Sequence, residues 1–264
     1  MSVIGVITCE VLEKEIAYLL AADPELEQVV VLENVSSMGL IEELRARCAR
    51  NLLCVPHMAS RRPEPSSRLE ALVRVLEIGL HRSRTILQRA LHSAAQELAP
   101  HVDALLLGYG LCGNALADAK AVLDVDVPVI APMDGGRPVD DCVALLLGGR
   151  DRYCEEQRKA PGTFYMTSGW SRHWRRLFAD NRIPVDGDAA KRLFARYTRS
   201  LLITTPVLRE DAMRQNAAEF NAAFHLSAEA CRGTLAILAA AWTRAKASAN
   251  AATDSRAEIE LTGV

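Results

Sequence analysis

The stretch that decides the fold is Asp103-Ala104-Leu105-Leu106-Leu107-Gly108-Tyr109-Gly110-Leu111-Cys112-Gly113-Asn114. Its first half is a short apolar run between Asp103 and Gly108, the pattern of a strand buried on both faces of a parallel sheet. Its second half is a glycine-rich turn carrying one cysteine, and a helix is expected from there to Lys120. Two other places repeat the arrangement. Val3-Ile4-Gly5-Val6-Ile7-Thr8 is an apolar strand ending at Cys9, and Asp140-Asp141 lead into a helix that begins at Cys142 and reaches Leu147. In a parallel sheet, strand ends of this kind gather on one edge, which is where α/β proteins place their sites.

Working outward, Glu10–Ala22 reads as the helix after the first strand, Val29–Leu32 as a second strand and Gly39–Arg50 as an amphipathic helix. Leu52–Val55 reads as a short strand, and Ser60–Ser67 as a loop, because prolines and serines break any period. Apolar spacing leaves Ala71–Ile78 open between a strand and the end of a helix. Ser83 is placed to cap a helix to Leu98. Val127–Ile130 is the next strand, Asp134–Pro138 a turn, and Gly148-Gly149 stop the Cys142 helix. Beyond Tyr153 the pattern is mainly helical: Ser171–Phe178, Asp188–Arg199 and a long stretch from Arg209 to Lys246, with a strand at Ser200–Thr205. The expectation is a soluble α/β protein with a mostly parallel, Rossmann-like central sheet flanked by helices. Residues 1–170 would form the α/β core with the cysteine site. Residues 171–246 would form a helical part packed on that core, and 247–264, polar and Ala/Ser-rich, a flexible tail.

Composition narrows the function. The 264 residues carry a formal net charge of -2 and only 5% aromatic residues. That balance offers neither the field nor the stacking surface of a nucleic-acid protein. The longest apolar run near the C-terminus, Leu235–Trp242, is far short of the roughly 20 residues a bilayer span needs. No partner of either kind is expected, and no basic leader precedes the first strand. Seven cysteines, an odd number and widely spread, suit reduced thiols in the cytoplasm rather than a disulfide framework.

The chemistry therefore centres on Cys9, Cys112 and Cys142. A cysteine at the first turn of a helix feels a partial positive charge that favours the thiolate. Three converging thiolates would repel one another unless a cation held them. Zinc accepts three protein ligands with one position open, and an iron–sulfur cluster on three cysteines leaves one iron for a substrate. His81, at the same sheet edge, and Asp140 are candidates for acid–base work near the open position. Asp141 is a helix cap that orients the Cys142 thiolate. His57 is a weaker candidate of the same kind. Gly110, Gly113 and Asn114 would let the backbone approach a bound molecule, and Tyr165 and Trp170, in the aromatic segment Gly162–Trp170, would wall a pocket above the thiols. Cys48, Cys54, Cys154 and Cys231 lack the matching context.

These stretches resemble a bacterial and archaeal family, domain of unknown function 1638. The carriers are Thr8–Leu12, Gly79-Leu80-His81, Leu106–Asn114, Asp141-Cys142 with Leu146–Gly148, and Gly162–Tyr165 with Gly169-Trp170. The resemblance implies His-Asp-Cys where this chain has Asp140-Asp141-Cys142, so a histidine is replaced. The segment from about Asn34 to Ser67 is longer than in compact members. The resemblance also implies a setting of corrinoid-dependent methyl transfer, with a corrinoid protein or methyltransferase as partner beside a small-molecule substrate.

The leading expectation is a metal-binding protein, iron–sulfur or zinc, acting as an enzyme or accessory protein, a transferase or lyase, in one-carbon metabolism. Two alternatives stand beside it. One is a binding module for a small or anionic ligand with incidental thiols, and the other an enzyme using Cys112 as nucleophile with His81 as base.

Overall fold

The computed structural model describes residues 2–49, 51–61, 68–180, 182–185 and 187–262. In chain order the elements of the first half are β1 (Ser2–Cys9), α1 (Glu13–Ala22), β2 (Gln28–Leu32), α2 (Met38–Ala46), β3 (Leu52–Val55) and β4 (Leu69–Leu76). There follow α3 (Arg84–Leu98), β5 (Ala104–Gly108), α4 (Ala119–Leu123), β6 (Val129–Ile130), β7 (Met133–Asp134), β8 (Arg137–Pro138) and α5 (Cys142–Leu147). The second half holds α6 (Arg150–Lys159), β9 (Thr163–Met166), α7 (Ser168–Asp180) and α8 (Gly187–Phe194). It closes with β10 (Arg199–Thr204), α9 (Glu210–Phe224), β11 (Ser227–Arg232) and α10 (Ala236–Thr262).

The central sheet has six parallel strands in the order β3-β2-β4-β1-β5-β6. It is the α/β, Rossmann-like architecture that the apolar runs predict. β1, β2 and β5 are buried along their whole length because helices cover both faces. The strand ambiguity at residues 71–78 resolves as β4, whose pairing with both β1 and β2 fixes it at the centre of the sheet. The chain leaves β1 toward β2 on one side and leaves β5 toward β6 on the other. The carboxyl ends of β1 and β5 therefore flank a topological switch point.

After residue 160 the strand expected at Ser200–Thr205 is present as β10, β9 lies in the aromatic segment Gly162–Trp170, and the departure from a mainly helical pattern is the sheet they form with β11. β9, β10 and β11 form a second parallel sheet, ordered β11-β10-β9. β11 lies inside the stretch that sequence alone reads as one long helix. Its residues, Ser-Ala-Glu-Ala-Cys-Arg, carry little strand propensity, and its place is set by pairing with β10 at the sheet edge. The segment read as a tail is helical as far as Thr262, and Ala249 is buried within it. Thr253 there meets the Ser2 hydroxyl at 3.1 Å. Packing along the first sheet holds a helix that composition does not announce.

Smaller differences follow the same logic. Ser83 occupies the cap position of α3 without a side-chain capping bond. Residues 112–118 are turns, and the helix after Cys112 starts only at Ala119. Asp134–Pro138 is a hairpin joining β7 and β8. α2 ends at Ala46, short of the expected Arg50, which lies outside the described residues, as does most of the expected loop, 62–67.

Candidate functional site

Cys9 is the last residue of β1 and is buried; a single 3₁₀ turn, Glu10–Leu12, separates it from α1. Cys112 sits in the loop after β5, and Cys142 is the first residue of α5. Only Cys142 thus begins an α-helix, with the Asp141 carboxylate capping it by accepting from the Ala144 amide at 2.8 Å. The loop is fastened beside α5 by two backbone bonds. The Leu111 amide donates to the Val139 carbonyl at 2.8 Å and the Cys112 amide to the Asp140 carbonyl at 2.9 Å. Gly110 makes this approach possible, because a Cβ there would stand 2.6 Å from the Asp141 Cα. Cys112 is held at φ 46°, a left-handed conformation that costs a non-glycine residue energy and that clusters at functional sites.

The three cysteines line one cavity of about 350 Å³ at the switch point, within the range of small-molecule sites. Its walls are apolar: Val11 and Leu12 from the turn after β1, Ile78 from the turn after β4, and Leu177 and Phe178 from α7. Gly108 also lines it; a Cβ there would meet the Thr8 hydroxyl at 2.6 Å, so β5 can run beside β1 at this level only as glycine. The cavity forms where the end of the first sheet meets α7.

Thiolates stabilised by helix dipoles are the sequence expectation, and the structure corrects it. Burial pushes the Cys112 thiol up to about 12 and raises Cys9 and Cys142 as well. Loss of water outweighs one short helix. Backbone amides offset part of that loss: Val11 N–H lowers Cys9 and Gly110 N–H lowers Cys112. Cys142 lies within electrostatic reach of both other thiols and of Glu15. The Tyr109 hydroxyl is buried beside Cys9, yet has no hydrogen-bond partner of good geometry among the described residues. Burial raises its pKa first and the neighbouring thiols add to that.

His81 lines the cavity near its opening, on the 3₁₀ turn after β4. Its Nδ1 lies 3.0 Å from the Ile78 carbonyl and its ring stacks on Tyr109 at 5.8 Å. The surrounding protein depresses its pKa, which favours the neutral ring, with Nδ1–H donating and the Nε2 lone pair left for a substrate. Trp170 also lines the cavity. The other expected residues do not. Asp140 faces outward, its side chain 48% exposed and 3.9 Å from Arg150. Gly113 and Asn114 lie on the exposed side of the loop, and Gly110 serves packing. Tyr165 belongs to the second sheet, 5.2 Å from the Tyr153 ring. His57 is exposed and pairs with the Ser60 hydroxyl at 3.0 Å.

Sequence reading misses the buried carboxylates after Cys9. Glu10 accepts from the Ile78 amide at 3.0 Å and from Arg176 at 2.7 Å. Glu13 accepts from His173 at 2.9 Å, and Glu15 from the Ser168 hydroxyl at 2.6 Å. These bonds tie α7, and with it Trp170, over the cavity. The signal was three acids inside an apolar helix, which charge alone makes look solvent-facing. No group of three or more His, Cys, Asp or Glu side chains among the described residues is placed to hold a single metal ion. No helix among the described residues is long and apolar enough to cross a membrane.

Fold and site together define an α/β protein with a thiol-lined, apolar pocket at the switch point of a parallel sheet. The chain belongs to the family described as protein of unknown function (DUF1638), whose model matches residues 75–242. That match takes in His81, Cys112, Cys142 and Trp170, while β1 with Cys9 precedes it. No curated protein matches the chain.

Proposed function

We propose that Cys9, Cys112 and Cys142 bind an iron–sulfur cluster whose remaining iron faces the apolar cavity and acts on a small molecule. The observation that carries this reading is that three thiols, from three distant segments, line one apolar pocket. Zinc needs all its ligands about 2.0–2.3 Å from one centre, and the side chains are not so arranged. A cluster spreads its thiolates over separate irons, so its ligands share no single centre. The Val11 and Gly110 amides facing the sulfurs are the kind of hydrogen bond that tunes such a cluster. Cys9, Cys112 and Cys142 would hold the cluster as thiolates, and its positive charge would offset the loss of the thiol protons and the repulsion among the sulfurs.

The chain's own residues then divide the remaining work. Apolar walls from α7 and the turn after β4 would limit water at a cluster held there. His81 holds a lone pair at the mouth, where it can take or return a substrate proton. Asp141 fixes the helix turn that carries Cys142. A transferase or lyase role, or service as an accessory to a corrinoid protein or methyltransferase in one-carbon metabolism, belongs to the same proposal and rests on the family resemblance.

Iron, zinc and acid-labile sulfide analysis of protein purified without oxygen tests it. About four iron and four sulfide per chain is the expected result. About one zinc and no sulfide would replace the cluster by a single ion. Metal-free, folded protein would overturn the reading in favour of a binding module or a Cys112 nucleophile with His81 as base. Loss of turnover on alkylating Cys112 would then separate those two.

A further inference from the structure

The second sheet has a site of its own shape. Beyond the carboxyl ends of β10 and β11 lies a cleft of about 860 Å³ that shares no lining residue with the thiol cavity. The ends of parallel strands are where α/β sheets receive ligands. Three arginines line it: Arg152 from α6, Arg209 just before α9, and Arg232 at the end of β11. One acid, Glu210, lines it too, and its carboxylate is engaged by Arg214 at 2.7 Å. Arg209 is paired with Asp211 at 2.9 Å. Arg152 donates to the Arg232 carbonyl at 2.9 Å, and neither Arg152 nor Arg232 has an ion-pair partner among the described residues.

Two further observations point to a ligand. Thr205, 8% exposed, lines the cleft, and its buried hydroxyl has no hydrogen-bond partner in the protein among the described residues. Pro206, Leu208 and Leu235 give one part of the wall an apolar character. Guanidinium groups match phosphoryl oxygens in a planar, bidentate way; the Arg209 fork is taken by the two Asp211 oxygens, which leaves Arg152 and Arg232 for a ligand. An apolar wall beside them suits the organic part of the same molecule.

We propose that this cleft binds a phosphoryl group carried on a small organic molecule, read by Arg152 and Arg232 at the edge of the second sheet. The phosphoryl oxygens take the arginine donors, and the organic portion lies against Pro206, Leu208 and Leu235.

Calorimetric titration of the full chain at low ionic strength tests this, with inorganic phosphate, inorganic pyrophosphate and ADP as probes. Saturable binding of pyrophosphate and ADP is expected, with ADP the tighter. Arg232→Gln should weaken both at least tenfold, and Arg152→Gln in addition should weaken them further, with melting temperatures close to that of the parent. Cys112→Ser should bind ADP as the parent does, which keeps this result separate from the thiol site. Phosphate bound as tightly as ADP would overturn the organic carrier. Absence of saturable binding by pyrophosphate and ADP, or parental affinity in the folded Arg232→Gln variant, would overturn the site.

Discussion

Glu15 is fully buried, and among the described residues only one of its carboxylate oxygens has a partner, the Ser168 hydroxyl. Burial raises its pKa to about 7 from an ordinary value of 4.5. The sign of the consequence follows. Below pH 4.5 both folded and unfolded chains hold this proton and the group costs nothing. Between 4.5 and about 7 the unfolded chain releases it while the folded chain keeps it, so folding stability falls as pH rises. The loss amounts to about 3 kcal/mol at 1.36 kcal/mol per pKa unit. Glu15→Gln, which keeps an acceptor for Ser168, should remove that slope. Urea denaturation of both proteins at pH 4.5 and 8 checks it; parallel stability curves would show that Glu15 titrates normally. The same residue shows where sequence reading stops. Cys9, Cys112, Cys142 and His81 were legible because each ends an apolar run or opens a turn. Glu15 was not, since its burial depends on α7 arriving from more than 150 positions away.

At the scale of elements, the second half is held by aromatic rings. All five phenylalanines lie between residues 164 and 224. Phe220 of α9 meets Phe164 of β9 at 4.8 Å, Trp174 of α7 at 5.3 Å and Phe224 at 4.9 Å. It is fully buried, so Phe220→Ala loses both transfer free energy and the surrounding contacts. A destabilisation of about 3–5 kcal/mol is expected in urea unfolding; a change below 1 kcal/mol would mean that the rings repack without cost. In the first sheet β1, β2 and β5 were readable because they are apolar runs covered on both faces, whereas β4, whose spacing suits strand or helix, was settled only by its pairing with β1 and β2. β11 was not, because an exposed edge strand of alanine, glutamate and serine looks like a helix until its partner strand is in place. α10 beyond Lys246 was missed for the converse reason: in that stretch Ala249 is buried while Ala247 and Ala251 are exposed, so no apolar stripe stands out.

For the molecule as a whole, the site depends on two parallel sheets meeting. Cys9 ends β1 and Cys112 follows β5 at the switch point of the first sheet, Cys142 opens α5 beside them, and α7 closes the cavity through Glu10–Arg176, Glu13–His173 and Glu15–Ser168. Trp242 and Lys246 of α10 bind Asp23 at 2.6 and 2.8 Å and lock the C-terminal helix across the end of α1. Burial in this arrangement raises the pKa of all three thiols, and under the proposal a bound cluster would replace their protons. Native mass spectrometry under anaerobic conditions reads that replacement directly. The parent chain and Cys231→Ser should carry the added mass of one iron–sulfur cluster, and Cys9→Ser, Cys112→Ser and Cys142→Ser, each folded by circular dichroism, should lose it. The same mass excess in all five proteins, or none in any, would contradict a centre shared by the three sulfurs.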